Sequence, residues 1–402
     1  MRFDRTATAA AWAALLAAAG SAQAAGFTGD QIKIGVLTDE SGQFSTIGGK
    51  GSVLAAEMAA RDFGGAIDGK PIIIIDADHQ NKPDVGSAIL RRWFDQEGVD
   101  AVTDLPVSSV ALAAQEIARD KHKTLLISGA ASSALTGKAC SPYSSQWADD
   151  SYALAHGTAK AVVAAGGKSW YFLTADYAFG ADMEKDASAA VTASGGTVIG
   201  SVRHPLGTSD FSSFLLQAQA SKARVVGLAN AGGDTVGAIK QAVEFGLTQS
   251  GQALAGFLIF ITDIHALTPK VAQSLYVTEG FYWDQNDKAR AFSKRFFDQI
   301  GRMPTKQQAA TYASVTHYLK AARSAGTTEA ATVNQEMRRL PVDFFGRAGS
   351  IRRDGRVLYD LTLYQVKSPD AIKGPWDYYR EIATIPAAEA FRPAGEGGCT
   401  LD

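Results

Sequence analysis

Short runs rich in valine and isoleucine alternate, in the first part of the chain, with longer stretches whose apolar residues recur at helical spacing. Such runs indicate buried strands, and such stretches indicate amphipathic helices. The strand and helix pairs lie at residues 32–37 and 50–62, 71–76 and 84–96, and 100–105 and 111–120. Repeated pairs of this kind are typical of a parallel sheet covered by helices. The pattern therefore predicts an α/β lobe.

The same alternation starts again after Trp147. The second set of pairs lies at residues 169–173 and 181–193, 197–203 and 211–220, and 225–229 and 235–244. We therefore predict an α/β fold with two Rossmann-like lobes. The connection at residues 146–153 is short and contains no low-complexity sequence, which favours a hinge over a flexible tether.

The rest of the chain carries weaker signals. A strand is indicated at 280–283, helices at 288–300 and 307–325, and further strands at 349–352 and 358–366. Between the last two strands, the pair Asp354-Gly355 predicts a hairpin turn. We assign residues 25–147 and 276–345 to the first lobe, and residues 148–275 and 346–402 to the second.

The N-terminus has the three parts of a secretory signal peptide. Arg2 and Arg5 precede an apolar run at residues 7–19, and Ala22-Gln23-Ala24 supplies a cleavage site. We expect residues 1–24 to be removed after Ala24 and the mature protein to lie in the periplasm. Because no cysteine follows the cleavage site directly, a lipid anchor is not expected there.

Charge and cysteine content narrow the classes of function. The 39 basic and 41 acidic residues nearly balance, which gives no electrostatic support for binding nucleic acid or a membrane surface. A small ligand is therefore expected. The chain has two cysteines, Cys140 and Cys399. In an exported protein such an even pair favours a disulfide over a metal site or a nucleophile.

The motifs of common enzyme classes are missing. The sequence contains no G-x-S-x-G, H-E-x-x-H or G-x-x-x-x-G-K-[ST] pattern, and its six histidines are scattered. Asp149 and Asp150 form a carboxylate pair, for which a solvated crossing between the lobes is favoured over acid–base chemistry. We therefore expect no enzyme, no bound metal and no cofactor.

Two turns rich in small and hydroxyl-bearing residues follow strands of the first predicted lobe. One contains Ser108 and Ser109, and the other contains Ala130, Ala131, Ser132 and Ser133. Free N–H groups and serine hydroxyls hold a carboxylate or phosphate without any lysine or arginine. Ordinary helix capping is the alternative.

These turns stand where a ligand of an α/β sheet is expected, beyond the C-terminal ends of the strands. The equivalent turns of the second lobe lie at residues 174–180 and 229–234. We therefore expect the ligand to lie between the two lobes.

Five landmarks along the chain are individually weak but occur in an informative order. They are 32–36 with Ser41-Gly42, then Ser108-Ser109, 127–135, 176–180 and 257–267. In these features the chain resembles, over residues 1 to about 326, the exported type I solute-binding proteins of ABC importers, in the branch named for branched-chain amino acids.

The resemblance implies roles for individual residues. The ligand carboxylate would be held by the turn of Ser108 and Ser109 and by backbone and hydroxyl groups at 130–133. An aromatic wall would come from Phe179, with Tyr177 nearby. Packing in the core is the alternative role for Phe179.

One position departs from the amino-acid binders of the family. Those proteins place a glutamate for the ligand's ammonium where this chain has Phe260 or Ile261. Desolvating an ammonium without an anionic partner costs several kcal/mol, so this cleft is expected to reject amino acids. Asp263 stays open as a displaced substitute for the glutamate.

A subgroup of the same family that takes up aromatic acids shows further patterns found here. They are Lys82-Pro83-Asp84, 149–154, 228–234, 281–284, Asp354-Gly355-Arg356, 376–379 and Cys399. This resemblance implies an aromatic or other apolar monocarboxylate as ligand. Tyr152 at the hinge and Asn230 in the second lobe are further candidate contacts, with hinge packing and turn stabilisation as their alternative roles.

We expect a monomeric periplasmic receptor that closes two lobes around a small carboxylate, in particular an aromatic acid, and delivers it to a membrane ABC permease. Closure follows because the ligand contacts both lobes and so favours the closed state. Two alternatives stay open: binding of branched-chain or other amino acids or amides for transport, and a sensory module for a membrane kinase. An exported hydrolase is disfavoured by the missing motifs.

Overall fold

The computed structural model describes residues 26–27 and 29–401, so the predicted signal peptide at residues 1–24 lies outside the described residues. Two sheets of mainly parallel strands, each flanked by helices, form the two lobes. The predicted α/β class with two Rossmann-like lobes is confirmed.

The first lobe contains β1 (Ile32–Thr38), β2 (Ala66–Ile67), β3 (Lys70–Asp78), β4 (Ala101–Asp104), β5 (Thr124–Ile127), β6 (Ser144–Gln146), α1 (Gly49–Asp62), α2 (Pro83–Asp95) and α3 (Ser108–Lys121). Its strand order is β2-β3-β1-β4-β5-β6, and the β2–β3 pair is antiparallel. The absence of a side chain at Gly35 of β1 allows α2 to pack closely against the sheet. A Cβ at this position would stand 2.4 Å from the buried ring of Trp93, which belongs to α2.

The second lobe contains β7 (Ser169–Ala175), β8 (Thr197–His204), β9 (Val225–Ala229), β10 (Ala253–Gly256), α4 (Ser151–Ala164), α5 (Ala178–Ala193), α6 (Ser212–Ala220), α7 (Gly233–Glu244), α8 (Ile261–Leu267) and α9 (Pro269–Ala272). Its strands are parallel, in the order β10-β9-β7-β8. Every residue of β9 is buried, as expected for a strand covered by helices on both faces.

After the second lobe come β11 (Tyr276–Glu279), α10 (Asp287–Ile300), α11 (Lys306–Ala325) and α12 (Ala330–Arg339). α11 packs against α1 of the first lobe. It begins with a capping box: the Thr305 hydroxyl accepts the Gln308 N–H at 3.2 Å, and the Gln308 side chain accepts the Thr305 N–H at 3.0 Å. This box fixes where the helix starts, and therefore where Lys306 lies.

The strand predicted at residues 280–283 is wrong. β11 ends at Glu279, and residues 280–283 form no strand. The run is apolar because it crosses between two cores: Phe281 packs in the cluster beneath α11, and Tyr282 packs in the cluster of the second lobe. Burial in two different cores produced a signal that resembles a buried strand.

The tail contains β12 (Val342–Phe344), β13 (Arg347–Ile351), β14 (Val357–Leu358), β15 (Leu361–Val366), β16 (Tyr379–Ile385) and α13 (Ala387–Ala390), and 3-10 turns lie at Ser133–Thr136 and Pro369–Ala371. The turn predicted at Asp354-Gly355 is confirmed, with Gly355 at φ +87° between β13 and β14. β12 and β13 contact α11 and α12, whereas β15 pairs with β11 and β16. The exact boundaries between the lobes stay a prediction.

The end of the tail lies against the first lobe. Cys140 and Cys399 form a disulfide, with their Cα atoms 5.6 Å apart. Arg392 Nη2 donates a 2.9 Å hydrogen bond to the carbonyl oxygen of Ser133. The tail is therefore fastened beside the second serine-rich turn. Among the described residues, none of the helices has both the length and the apolar character that crossing a membrane requires.

Candidate functional site

The two lobes are in contact across the cleft between them. Gly232, at the start of α7, has φ +60°, and a Cβ there would stand 2.9 Å from the carbonyl oxygen of Gln43. A glycine thus allows the loop after β1 to approach the second lobe closely. The arrangement is a closed one.

The two serine turns, Ser108–Ser109 and residues 130–133, lie together at the C-terminal ends of β4 and β5. Ser108 Oγ accepts the N–H of Ser132 at 3.2 Å. The N–H groups of Ala130 and Ala131 find no acceptor among the described residues, although both residues are buried. The Ser109 hydroxyl likewise makes no hydrogen bond to a described residue, and Ser109 is partly exposed. These groups can receive an anion.

The other hydroxyls of the serine turns are held by carboxylates of the second lobe. Ser132 Oγ donates to Asp182, and Ser133 Oγ donates to Asp186 Oδ2 at 2.8 Å. Ser151, at the start of α4, donates to the same Asp186 oxygen at 2.6 Å. Burial raises the pKa of Asp186, while these two hydroxyls act in the opposite direction. The contacts join the serine turns to α5 across the lobes.

A buried charged group, here called the Lys306 cluster, lies where the chain crosses between the lobes. It consists of Lys306, Asp149, Glu279 and the carbonyl of Thr278. Lys306 Nζ lies 3.5 Å from Asp149 Oδ2 and 3.3 Å from Glu279 Oε2, and donates a 2.9 Å hydrogen bond to the Thr278 oxygen. A lysine is unfavourable at the N-terminal end of a helix dipole, so these oxygens offset the cost of its position.

Burial is the largest influence on the acids near Lys306. It raises the pKa of Glu279 to about 8, and the charge of Lys306 opposes the shift. It also raises the pKa of Asp263 to about 7, with the Phe260 N–H and Lys306 opposing. Both groups therefore titrate close to neutral pH.

Asp149 connects three parts of the chain. Its Oδ2 accepts the Gly280 N–H at 2.9 Å, and its Oδ1 accepts the Tyr359 hydroxyl at 3.0 Å. The neighbouring Asp150 caps α4 through the Ala153 N–H and lies 3.4 Å from Arg356 Nη1. The expectation that Asp149 and Asp150 are solvated is wrong, since they are 3% and 2% exposed. Both carboxylates are needed inside the crossing to satisfy buried donors.

A small cavity, partly open to solvent, lies between the C-terminal end of β5 and the Lys306 cluster. Its polar lining includes Lys306, Gln307 and Asp149, with Ser128 and Gly129 at the end of β5. Its apolar lining consists of Trp147, Ala148, Leu258, Phe260, Phe344 and Tyr359. The ring of Phe260 faces Lys306, with Nζ 5.4 Å from the ring centre.

The predicted site residues of the loop before α8 have distinct contacts. Phe260 lines the cavity, whereas the carboxylate of Asp263 turns back and accepts the Phe260 N–H at 2.9 Å. This hydrogen bond caps α8. The Asp263 side chain is therefore engaged within its own helix turn.

The remaining predicted contacts lie in the second lobe. Tyr152 stacks on His156, one turn along α4, at 3.9 Å. Tyr177 and Phe179 have ring centres 5.9 Å apart, and Phe179 is buried in the core cluster.

Asn230 uses both ends of its side chain within the second lobe. Its Nδ2 lies 3.1 Å from His204 Nε2, and its Oδ1 accepts the Thr235 hydroxyl at 2.7 Å. These contacts support the turn before α7. Roles of Tyr152, Tyr177, Phe179 and Asn230 toward a ligand stay predictions.

Sequence reasoning missed Lys306, Gln307 and Glu279. One signal was available: a lysine directly follows the Thr305 cap of a long helix, where a basic residue is unfavourable. The partners of that lysine come from segments far apart in the chain, and no sequence pattern indicates their meeting.

Comparisons with known proteins agree with this architecture. A family model described as "periplasmic binding protein" matches residues 31–371. The chain is similar to a periplasmic binding protein from Burkholderia mallei of known structure, with 47% identity, coverage of 92% of this chain and 99% of that one, and a TM-score of 0.91. A branched chain amino acid ABC transporter periplasmic ligand-binding protein from Burkholderia xenovorans LB400 is 38% identical, with 92% and 99% coverage and a TM-score of 0.81.

Two further likenesses are more distant. A solute binding protein of an ABC transporter from R. palustris, solved in complex with benzoate, shares the fold at 20% identity, with 92% and 100% coverage and a TM-score of 0.80. The Leu/Ile/Val-binding protein homolog 6 of Brucella melitensis is 28% identical over 242 residues, which are 59% of this chain and 61% of that protein. The match thus spans less than two thirds of the Brucella protein.

Proposed function

Because the chain belongs to the periplasmic binding protein family, we propose that it is a receptor that closes its two lobes around a small carboxylate and delivers it to a membrane ABC permease. The ligand we propose is an aromatic acid. It would be held by Ser108, Ser109 and residues 130–133, with its apolar part against Phe260 and the neighbouring cavity wall.

The surroundings of Phe260 favour a ligand without an amino group. At the loop before α8, the cavity presents the Phe260 ring with the Lys306 ammonium 5.4 Å from its centre. A ligand ammonium at this place would approach a like charge and an apolar ring, and would lose its hydration without a free anionic partner. The Asp263 carboxylate is already engaged by the Phe260 N–H. An acid without an amino group suits this environment.

The apolar lining favours a flat, apolar body for that acid. Trp147, Leu258, Phe260 and Phe344 surround the polar groups of the cavity. Aromatic walls with a few directed polar groups are typical of sites for such ligands. The R. palustris protein with the same fold was solved with benzoate, which supports the same choice here.

The proposal includes a mature, monomeric protein that is exported by cleavage after Ala24 and carries out no covalent chemistry. A ligand that contacts both lobes stabilises the closed arrangement over the open one. The second candidate ligand is a branched-chain amino acid. The names of the B. xenovorans and Brucella proteins favour it, as does the buried carboxylate of Asp149 beside the cavity.

Thermal unfolding of the purified mature protein tests the choice between them. We expect benzoate or 4-hydroxybenzoate to raise the melting temperature, because ligand at 100 times its Kd adds about 2.7 kcal/mol of stability. Leucine, isoleucine and valine serve as matched comparisons and are expected to leave it unchanged. Stabilisation by leucine together with no response to any aromatic acid would overturn the ligand assignment.

A further inference from the structure

We propose that Lys306 is the charge-selecting residue of the cleft and supplies the positive charge that the ligand's carboxylate meets. The inference rests on the proposed receptor function. It adds a residue that is not part of the serine turns to the groups that bind the carboxylate. Among the described residues that line the cavity, Lys306 alone is basic.

The position of Lys306 is fixed from two sides. The capping box at Thr305 sets the first turn of α11, and Lys306 and Gln307 of this turn line the cavity beside Ser128 and Gly129 at the end of β5. A Cβ on Gly129 would stand 2.8 Å from Gln307 Nε2, which shows how closely α11 approaches that strand end. Lys306 therefore lines one cavity with Ser128 and Gly129, the residues that directly precede the serine turn at 130–133.

The ammonium keeps donor capacity for a ligand. A lysine has three N–H donors, and one of them is used at 2.9 Å by the Thr278 carbonyl. Its distances to Asp149 and Glu279, 3.5 and 3.3 Å, exceed those of close charge-assisted hydrogen bonds. The oxygens of Asp149 are occupied by the Gly280 N–H and the Tyr359 hydroxyl. Asp149 and Glu279 therefore do not use all the remaining N–H donors of the Lys306 ammonium.

The neighbouring acids leave the charge of Lys306 partly uncompensated. The groups that face it are Asp149, Glu279 and Asp263, and the Tyr379 hydroxyl lies 3.4 Å from Glu279. Because burial raises the pKa of Glu279 to about 8, this side chain holds a proton at neutral pH. A protonated Glu279 does not compete with a ligand carboxylate for the ammonium.

The test compares an acid with its uncharged amide in one protein. Benzoate and benzamide have nearly the same shape, so the ratio of their Kd values isolates the response to charge. We expect the wild-type protein to prefer benzoate. In Lys306→Gln, the loss of a charged hydrogen bond should weaken benzoate by on the order of 10-fold to 100-fold, with benzamide changed little. Lys306→Arg should keep the preference.

A purely structural role would weaken both ligands alike, so an unchanged benzoate-to-benzamide ratio in Lys306→Gln overturns the inference while the receptor function stands. Wild-type protein that binds no carboxylate overturns the proposed function, and this inference with it. Should Lys306→Gln not fold, the double variant Lys306→Gln, Asp149→Asn removes opposite charges together and is subjected to the same comparison. Glu279→Gln serves as the matched control, since it alters the cluster but keeps the cation and the preference.

Discussion

The serine turns and the Lys306 cluster both lie near the C-terminal end of β5 but satisfy their polar groups in different ways. In the serine turns, the hydroxyls of Ser132 and Ser133 donate to Asp182 and Asp186 across the lobes, while the N–H groups of Ala130 and Ala131 have no acceptor among the described residues. In the Lys306 cluster, the ammonium lies 3.5 Å from Asp149 and 3.3 Å from Glu279, which come from two other segments of the chain. Hydroxyls predicted to hold a ligand therefore also hold the two lobes together.

The largest expected effect comes from breaking the Lys306 cluster. Asp149→Ala leaves the Lys306 ammonium, the Gly280 N–H and the Tyr359 hydroxyl without their shared partner. Removing one member of a buried ion pair costs about 3–5 kcal/mol. We expect the free energy of unfolding, measured in urea, to fall by that amount. Asp176→Ala, which removes an exposed carboxylate paired with Arg203, is the control. Equal effects of the two changes would contradict the assigned role of Asp149.

A smaller effect is expected from breaking the contact between the serine turns and α5. Asp186→Ala leaves the hydroxyls of Ser133 and Ser151 without their acceptor, and unsatisfied buried polar groups cost about 1–3 kcal/mol. We expect reduced stability in urea and, in solution scattering without ligand, a larger radius of gyration than wild type. Asp186→Asn, which keeps one acceptor oxygen, should be milder. An unchanged radius in Asp186→Ala would show that this contact does not hold the lobes together.

The Lys306 cluster should also make stability depend on pH. The pKa of Glu279 is raised from 4.5 to about 8, so between these values the folded protein keeps a proton that the unfolded chain releases. This contribution favours folding below pH 4.5 and is lost as pH rises toward 8.

Glu279→Gln removes that titration. We expect its melting temperature to gain on wild type steadily from pH 5 to pH 8, by a few degrees. Scanning calorimetry across this range measures the difference. A difference that stays constant with pH would mean that Glu279 does not titrate in this window.

The smallest expected effect distinguishes a serine hydroxyl that binds the ligand from one that joins the lobes. Ser109→Ala removes a hydroxyl that has no partner among the described residues, so we expect benzoate affinity to fall about 5-fold, the value of one hydrogen bond near 1 kcal/mol. Ser133→Ala disturbs the lobe contact instead and should shift benzoate and benzamide by the same factor. Titration calorimetry with both ligands measures this. If both variants changed the affinities for benzoate and benzamide in the same way, the two hydroxyls would not have the different roles assigned to them.

Sequence patterns predicted the regular parts of this fold well because their causes are local. A short apolar run of the valine- and isoleucine-rich kind predicted the first strand at 32–37, and the structure has Ile32–Thr38. The aromatic run at 280–283 misled because its residues fill two cores while forming no strand. Local apolar character alone cannot distinguish a buried strand from an irregular segment whose side chains fill two cores.

The candidate site was less accessible to sequence reasoning. Serine-rich turns after strands pointed to the cleft, but the partners of Ser132 and Ser133 lie some 50 residues away on α5. Asp149 was expected to be solvated, since its donors at Gly280 and Tyr359 are 131 and 210 residues distant. Polar pairs of such separation follow from the folded topology and leave no periodic signal.

In the proposed binding mode, the serine turns and Lys306 converge on one ligand carboxylate. A crystal structure of the mature protein with the aromatic acid that stabilises it most tests this directly. The predicted result is a carboxylate within hydrogen-bonding distance of the Ala130 or Ala131 N–H and of Lys306 Nζ, with the ring against Phe260. A carboxylate turned away from Lys306 toward solvent, or a ligand amine seated beside Phe260, would contradict it.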